Sequence, residues 1–352
     1  MLRSYIIALD VHCRSCQVVA TTPGGRIIDR RPVATAIPEL TEAIKSVRRP
    51  RTVVLEEGPL ADWLYRSLAP AADAIIVCDP RRNALIAKDG DKDDPIDAEK
   101  LAQLARGGYL RPVHHSASQA RALFKQRVAL YHQRVGHRVA QANRVIWYLR
   151  RFGIMIREPV LAEAEKRAAL LERLPKDTTV REDLPVLLES YNLAAEHVHQ
   201  LRQRLIKQAR GIDQIRRFTL LPGVKWIRAA TFYAYVDTPW RFKSKSALWK
   251  YLGIGLERRH SGSGYERLGV PRHCHRPLKS MILGAAKSAV ASRSNPFADR
   301  YERDLHAGCS PRIARRNVAR SMAAVMWGMW KNERDYQPQW VGVPAGELMV
   351  GS

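Results

Sequence analysis

Tyr5-Ile6-Ile7-Ala8-Leu9-Asp10 is a short apolar run that ends in an acid, and it predicts a buried first strand. Two more strands are expected at residues 17–21 and 26–28, because the turn-forming segment Pro23-Gly24-Gly25 separates two apolar segments. The pattern continues with strands at 52–56 and 74–78 and with helical spacing at 37–47, 60–68 and 94–105.

This order of elements, three strands and then alternating helices and strands, is the ribonuclease H-like pattern. It predicts an α/β domain in which a mixed sheet carries helices on its faces.

The middle of the chain changes character and predicts long helices. Two apolar stripes are spaced as in coiled-coil seams: Val128, Val135, Val139, Ala142, Ile146 and Leu149 in one, and Leu187, Tyr191, Ala194, Val198, Leu201 and Leu205 in the other. We expect an antiparallel coiled coil that self-associates, because a seam of two helices buries little surface by itself. Its basic residues either form a solvated face or contact nucleic acid: Arg127, Arg134, Arg138 and Arg144.

The last part of the chain predicts a mainly helical unit, with helices at 244–252, 277–291 and 314–331 and a basic Gly/Ser-rich loop at 258–264. The junction Leu220-Leu221-Pro222-Gly223-Val224 is either an ordinary turn or a helix-hairpin-helix-like element, in which backbone N–H groups hold a phosphate. The expected fold class is therefore α/β plus α, in three domains: 1–112, 113–210 and 211–352.

Charge and composition narrow the functional classes. The chain has 59 Lys and Arg against 34 Asp and Glu, a formal net charge of +25, which favours a nucleic-acid partner. An apolar content of 46% excludes a fully disordered basic tail, and no apolar run approaches the roughly 18 residues of a membrane span. Five cysteines form no disulfide framework, and Asp10 and His12 interrupt the only early apolar run, so we expect a cytoplasmic protein without a signal peptide.

Four carboxylates are candidate metal ligands. Asp10 and Glu56 each close a strand, and Asp94 and Asp97 share one face of a helix. Singly, such acids are ordinary surface or helix-start residues. Together they would repel one another unless a cation lay between them, and oxygen ligands suit Mg²⁺. The set therefore predicts a Mg²⁺ site able to support phosphodiester cleavage, with Glu57 competing for the place of Glu56.

Ser261 is a candidate nucleophile, because Arg258, Arg259 and His260 precede it and could bind the oxygens of a phosphate. Most Ser-Gly loops are linkers, and Ser263 is an equal candidate on these grounds.

In this combination, the chain resembles the DEDD transposases of bacterial insertion sequences, specifically the insertion-sequence one-ten family, which includes Piv-type DNA invertases. The matching segments are Ile7-Ala8-Leu9-Asp10, Val53-Val54-Leu55-Glu56, Lys92-Asp93-Asp94-Pro95-Ile96-Asp97-Ala98, Leu221-Pro222-Gly223-Val224, Tyr251-Leu252-Gly253-Ile254 and Arg258-Arg259-His260-Ser261-Gly262. The chain departs from the family at Glu57-Gly58-Pro59, where Ala-Thr-Gly is usual, and at 271–279, which lacks the glycine of a Lys-x-Gly stretch.

The resemblance implies a RuvC-like N-terminal domain whose Asp-Glu-Asp-Asp tetrad falls on Asp10, Glu56, Asp94 and Asp97 and binds Mg²⁺. It implies a C-terminal transposase domain with a nucleophilic serine at Ser261. Family members cut and rejoin donor and target DNA through a phosphoserine link, guided by a structured bridge RNA. They act as homodimers or homotetramers, in which the acids of one subunit work with the serine of another.

Three functions are therefore weighed. The first is a transposase or invertase of this family. The second is a RuvC-like, metal-dependent junction nuclease in which Ser261 is only structural. The third is a non-catalytic nucleic-acid-binding protein with a relic acid site.

Overall fold

The computed structural model describes residues 4–83, 94–176, 178–260, 266–269 and 274–341. Of residues 82–83, 94–96, 164, 171, 178, 257–260 and 266–268, only the backbone is described. The chain forms two compact units, Met1–Ala122 and Leu123–Ser352, called here the first and second units.

The first unit is built on a five-stranded mixed sheet. Its strands are β1 (Tyr5–Val11), β2 (Ser15–Thr21), β3 (Ile27–Ala34), β4 (Arg51–Glu56) and β5 (Ala74–Cys78), in the order β3-β2-β1-β4-β5. β1 pairs antiparallel with β2 and parallel with β4, and β4 pairs parallel with β5. The predicted ribonuclease H-like strand order is confirmed.

β3 is longer than the sequence predicts. The expected strand ended at residue 28, whereas β3 continues through Asp29, Arg30, Arg31 and Pro32 to Ala34. β3 lies at the edge of the sheet, where polar side chains face water and a proline needs no ladder partner. A prediction that looks for runs of apolar residues therefore misses the polar second half of β3.

The two faces of the sheet are covered by different helices. α1 (Ile37–Lys45) and α2 (Ala61–Leu68) cover the face that carries Ile7, Leu9 and Val53. A short helix, α3 (Pro80–Asn83), follows β5, and α4 (Asp94–Gly107) packs against Ile6, Ala8 and Val54 on the opposite face.

Two long helices begin the second unit. α5 (Gln119–Arg150) and α8 (Thr178–Arg210) lie side by side in opposite directions, with α6 (Glu158–Ala162) and α7 (Ala164–Glu172) between them in sequence. At one end Arg127 Nη1 donates to Gln208 Oε1 at 2.8 Å, and at the other the Tyr148 hydroxyl donates to Asp183 Oδ2 at 3.1 Å. Val139, a predicted seam residue, is 38% exposed in the single chain.

The remaining elements are mainly helical: α9 (Asp213–Phe218), α10 (Trp226–Val236), α11 (Lys245–Tyr251), a hairpin of β6 (Glu257–His260) and β7 (Glu266–Gly269), α12 (Arg276–Ala291), α13 (Pro296–His306) and α14 (Pro311–Asn332). Buried α14 runs through the core, where Trp330 contacts the edge of Phe218. The helices expected at 244–252, 277–291 and 314–331 are confirmed. The loop expected at 258–264 begins too early, because residues 258–260 belong to β6.

The helical pair and the later helices lie in the same compact unit, whereas the sequence predicts a boundary between residues 210 and 211. The division into domains 1–112, 113–210 and 211–352 therefore stays a prediction. In the part of the chain that the structure describes, none of the helices has the length and apolarity that crossing a membrane would need.

Candidate functional site

Asp10 and Glu56 lie at the ends of two neighbouring parallel strands. β1 and β4 pair with Leu9 opposite Leu55, so the residue that follows each of these comes at the same edge of the sheet. Side chains alternate between the faces of a strand, which places Asp10 with Ala8 and Glu56 with Val54. Ala8 and Val54 belong to the face covered by α4, and both acids therefore share that face.

α4 runs antiparallel to β1, so its beginning approaches these strand ends. Arg106, near its end, donates to the carbonyl of Gly24 at 2.9 Å, beside the start of β1. Glu99, about two turns earlier, pairs with Arg30, which lies level with Val19 and thus with the middle of β1. Continuing in this direction, the first turn of α4 comes to the level of Asp10.

Asp94 and Asp97 lie in the first turn of α4. Each lies four residues before a buried residue, Ala98 and Leu101, and therefore on the same helix face as that residue. Asp97 is exposed, and only the backbone of Asp94 is described. Among the described side chains, no three His, Cys, Asp or Glu are gathered closely enough to hold a metal ion. The structure thus places Asp10 and Glu56 at the ends of neighbouring strands, and the first turn of α4 packs on the same face of the sheet.

The donors around Asp10 are oxygen and nitrogen rather than sulfur. His12 Nε2 lies 3.1 Å from Asp10 Oδ2. Burial, together with the negative charge of Asp10, raises the pKa of the Cys16 thiol to about 12. Cys16 therefore stays a protonated thiol, and the acids offer a hard, all-oxygen donor set of the kind that suits Mg²⁺.

Glu57 is engaged on the other side of the β4 end. His115, with a side chain only 3% exposed, lies with Nε2 2.6 Å from Glu57 Oε2 and Nδ1 3.2 Å from Asp62 Oδ1. His115 thus contacts both carboxylates, one through each ring nitrogen. Burial alone would raise the pKa of Asp62, but hydrogen bonds from Arg66 and His115 outweigh it and leave that pKa lowered.

This network fixes the turn that follows Glu56. The backbone N–H of Glu57 also donates to the carbonyl of Cys78 at 2.8 Å, which extends the pairing of β4 with β5 by one residue. Sequence reasoning missed His115, because it lies 58 residues from Glu57 and no spacing rule connects them.

The segment that leads into β6, the strand before Ser261, makes close contacts with the helices. Gly253 has a φ of +69°, and a Cβ there would lie 2.6 Å from Cys274 Sγ, so only glycine fits. Arg320 Nε donates to the carbonyl of Ile254 at 2.7 Å, three residues before β6 begins. Within the hairpin, Arg258 lies opposite Leu268 and Arg259 opposite Arg267. Ser261 follows β6 directly, and it and Ser263 lie outside the described residues.

The four arginines of α5 differ in their surroundings. Arg138 forms an ion pair with Glu158 at 3.1 Å, whereas Arg127 and Arg144 donate to the uncharged amides of Gln208 and Gln141. Arg134 is partly exposed on the same helix. Three of the four thus keep a positive charge that no carboxylate neutralises among the described residues.

The Pro222-Gly223 junction joins α9 to α10. Gly223 has a φ of +77°, and a Cβ there would lie 2.4 Å from the carbonyl oxygen of Ala285 on α12. Close packing of the turn against α12 therefore accounts for the glycine, and a phosphate-holding role for this turn stays a prediction.

Two family models match the chain. One, described as a transposase and named DEDD_Tnp_IS110, covers residues 7–154, and the other, described as transposase IS116/IS110/IS902 family, covers residues 215–302. Together they span more than half of the chain; the four acids fall in the first and Ser261 falls in the second. A comparison with curated proteins gave no match.

Proposed function

Because the chain belongs to the IS110 (insertion-sequence one-ten) family of transposases, enzymes that cleave and transfer DNA strands, we propose that it recombines DNA through a phosphoserine intermediate. In this proposal the RuvC-like first unit holds Mg²⁺ and Ser261 attacks the DNA. The observation that supports it best is that the two family models match in order and that Asp10 and Glu56 end neighbouring parallel strands.

Asp10, Glu56, Asp94 and Asp97 would hold the metal. Bound Mg²⁺ would neutralise these acids and polarise a phosphate oxygen of the DNA. The backbone supports this proposal, since Asp10 and Glu56 end neighbouring parallel strands and Asp94 and Asp97 lie in the first turn of the helix that packs on the same sheet. Glu56 rather than Glu57 is proposed as the ligand, because Glu56 shares a face with Val54 whereas Glu57 is bound to His115.

Ser261 would act as the nucleophile. Its hydroxyl oxygen forms a bond to phosphorus, and the bond from phosphorus to one deoxyribose oxygen breaks. The serine hydroxyl loses its proton in this step, and the leaving deoxyribose oxygen takes up a proton. The hydroxyl of a second DNA strand then attacks the same phosphorus, the bond from the serine oxygen to phosphorus breaks, and the serine regains its proton. Arg258 and Arg259, which precede Ser261 on β6, would neutralise the phosphate that is attacked.

The long helical pair would provide self-association and nucleic-acid contact. Large apolar side chains are exposed on both of its helices: Leu130, Val139, Trp147, Val186 and Leu193. Their exposure supports an antiparallel coiled coil that packs against a second copy, in a homodimer or homotetramer. Arg127, Arg134 and Arg144 would bind donor DNA, target DNA or a bridge RNA, and Arg138 would contribute least because Glu158 already pairs with it.

A matched pair of variants tests the metal site. Glu56→Gln and Glu57→Gln each remove one negative charge from adjacent residues that point to opposite faces of β4. We expect Glu56→Gln, like Asp97→Asn, to abolish Mg²⁺-dependent strand cleavage and Glu57→Gln to retain it. Retained cleavage in both Glu56→Gln and Asp97→Asn would contradict the proposed ligands. Cleavage that releases only free ends would favour the junction nuclease.

A further inference from the structure

α14 carries a row of three arginines at intervals of four residues: Arg312, Arg316 and Arg320. Residues four apart lie on the same helix face, about 6 Å from one another along the axis. The row runs from the exposed Arg312 to the partly buried Arg316 and Arg320. Burial lowers the pKa of Arg316 and of Arg320, and in each case the preceding arginine of the row lowers it further.

No acid neutralises this row in the part of the chain that the structure describes. Asp304 on α13, an acid that reaches this side of α14, accepts from the side-chain amide of Asn317 at 3.0 Å. Like charges four residues apart destabilise a helix, and half-burying them adds to that cost. Such an arrangement is stabilised when an external anion lies along the row.

The end of the row is hydrogen-bonded to the segment that leads into β6. Arg320 donates through Nε to the Ile254 carbonyl at 2.7 Å and through Nη1 to Asn317 Oδ1 at 3.0 Å. Trp249 Nε1 donates back to the Arg320 carbonyl at 3.0 Å. Arg320 therefore has a structural task, whereas Arg312 and Arg316 make no such contact with the described residues.

We propose that Arg312 and Arg316, with Arg320 behind them, bind phosphate groups along one nucleic-acid strand. Guanidinium groups match phosphate oxygens in a bidentate geometry, and a regular row of them suits a regularly charged polymer. We infer further that the bound nucleic-acid strand continues toward Ser261, and this part rests on the proposed function. Phosphate binding by the row does not depend on it.

Salt dependence of binding measures the contacts directly. The probes are a 30-base-pair DNA duplex and a 30-nucleotide single-stranded RNA, titrated with the full chain at several salt concentrations and without Mg²⁺. For the double variant Arg312→Ala/Arg316→Ala, binding should weaken, and the slope of log affinity against log salt should flatten by about 1.5, as two lost phosphate contacts require. Arg312→Lys/Arg316→Lys keeps both charges and should keep the slope.

Lys45→Ala/Arg48→Ala is the matched control, because it removes two positive charges from exposed positions around the end of α1. It should leave the slope unchanged. A flattened slope on DNA alone, on RNA alone or on both supports the row and tells which strand it holds. Equal slopes for the wild type and the α14 double variant on both probes would overturn it, as would an equal flattening in the control.

Two safeguards keep the result interpretable. If the double alanine variant unfolds, Arg312→Ala alone, at an exposed position, should flatten the slope by about 0.8, and no change would refute the proposal. Ser261→Ala should bind with the wild-type slope. If Ser261→Ala keeps both the wild-type slope and strand transfer, the serine chemistry fails and the phosphate row stands. If strand transfer is lost in Ser261→Ala but the α14 variants keep the wild-type slope, the phosphate row fails and the chemistry stands.

Discussion

Acidification should weaken the second unit through His275, the residue that precedes α12. Its ring lies between Tyr235 and Tyr251, with ring centroids 4.0 and 6.0 Å away, and its Nδ1 accepts the N–H of Leu278 at 3.3 Å. Burial, together with the positive charges of Lys125, Arg241 and His132, lowers the pKa of His275 to about 4.

The sign and size follow from the difference between the folded and unfolded states. In the unfolded chain a histidine has a pKa of about 6.5, so between pH 6.5 and pH 4 the unfolded state binds the proton more readily. The stability that neutral His275 contributes is present above about pH 6.5 and is lost as the pH falls toward 4. The free energy of unfolding should drop by about 2 kcal/mol between pH 7 and pH 5 and by about 3 kcal/mol at pH 4 from this residue alone.

His275→Asn is the informative variant. Asparagine can still accept the Leu278 N–H at the helix start, but it does not titrate. Urea unfolding of the wild type and the variant at pH 7, 5 and 4 gives the free energy of unfolding of each. The difference between them should change with pH by the amounts above. A difference that stays constant across this range would refute the reasoning.

The further predictions also concern stability. Gly223→Ala should lower the free energy of unfolding by more than about 2 kcal/mol, since its φ of +77° is strained for alanine and the new Cβ would meet the Ala285 carbonyl oxygen. Gly136→Ala, in the interior of α5 where a Cβ meets nothing within 4 Å, should instead raise it by about 0.5–1 kcal/mol; calorimetry showing equal effects would contradict the packing of the turn against α12. His115→Ala should cost roughly 1.5–3 kcal/mol in urea unfolding, toward the lower end because Glu57 and Asp62 are partly exposed. The lowered pKa of Asp62 contributes stability above about pH 4 that is lost on further acidification, so Asp62→Asn should flatten this part of the pH profile, and an unchanged profile would exclude the network.

The sheet could be predicted because its central strands are apolar runs that end in acids. β1 and β4 are buried on both faces, so their composition alone marks them. β3 was predicted only in part, since an edge strand such as Asp29–Ala34 carries its polar residues into solvent. α13 was missed because most of its residues are polar, although Asn295 and Pro296 form a standard helix start.

The acids of the candidate site could be chosen from sequence, but their common placement could not. It depends on the direction of α4, which long-range contacts such as Arg106 with Gly24 establish. The choice between Glu56 and Glu57 depends likewise on His115, far along the chain. Val139 is exposed in the single chain for a related reason, because heptad spacing shows that an apolar stripe exists and not which partner covers it.

The most direct test of the recombination chemistry is to trap the protein–DNA intermediate. The full chain is incubated with Mg²⁺, labelled DNA from the insertion-sequence end and RNA transcribed from the DNA beside the gene, and then denatured and digested for mass spectrometry. A nucleotide attached to Ser261, absent in Ser261→Ala and in Glu56→Gln, is the expected result. Cleaved DNA without any attached protein, or an adduct that persists in Ser261→Ala, would contradict it.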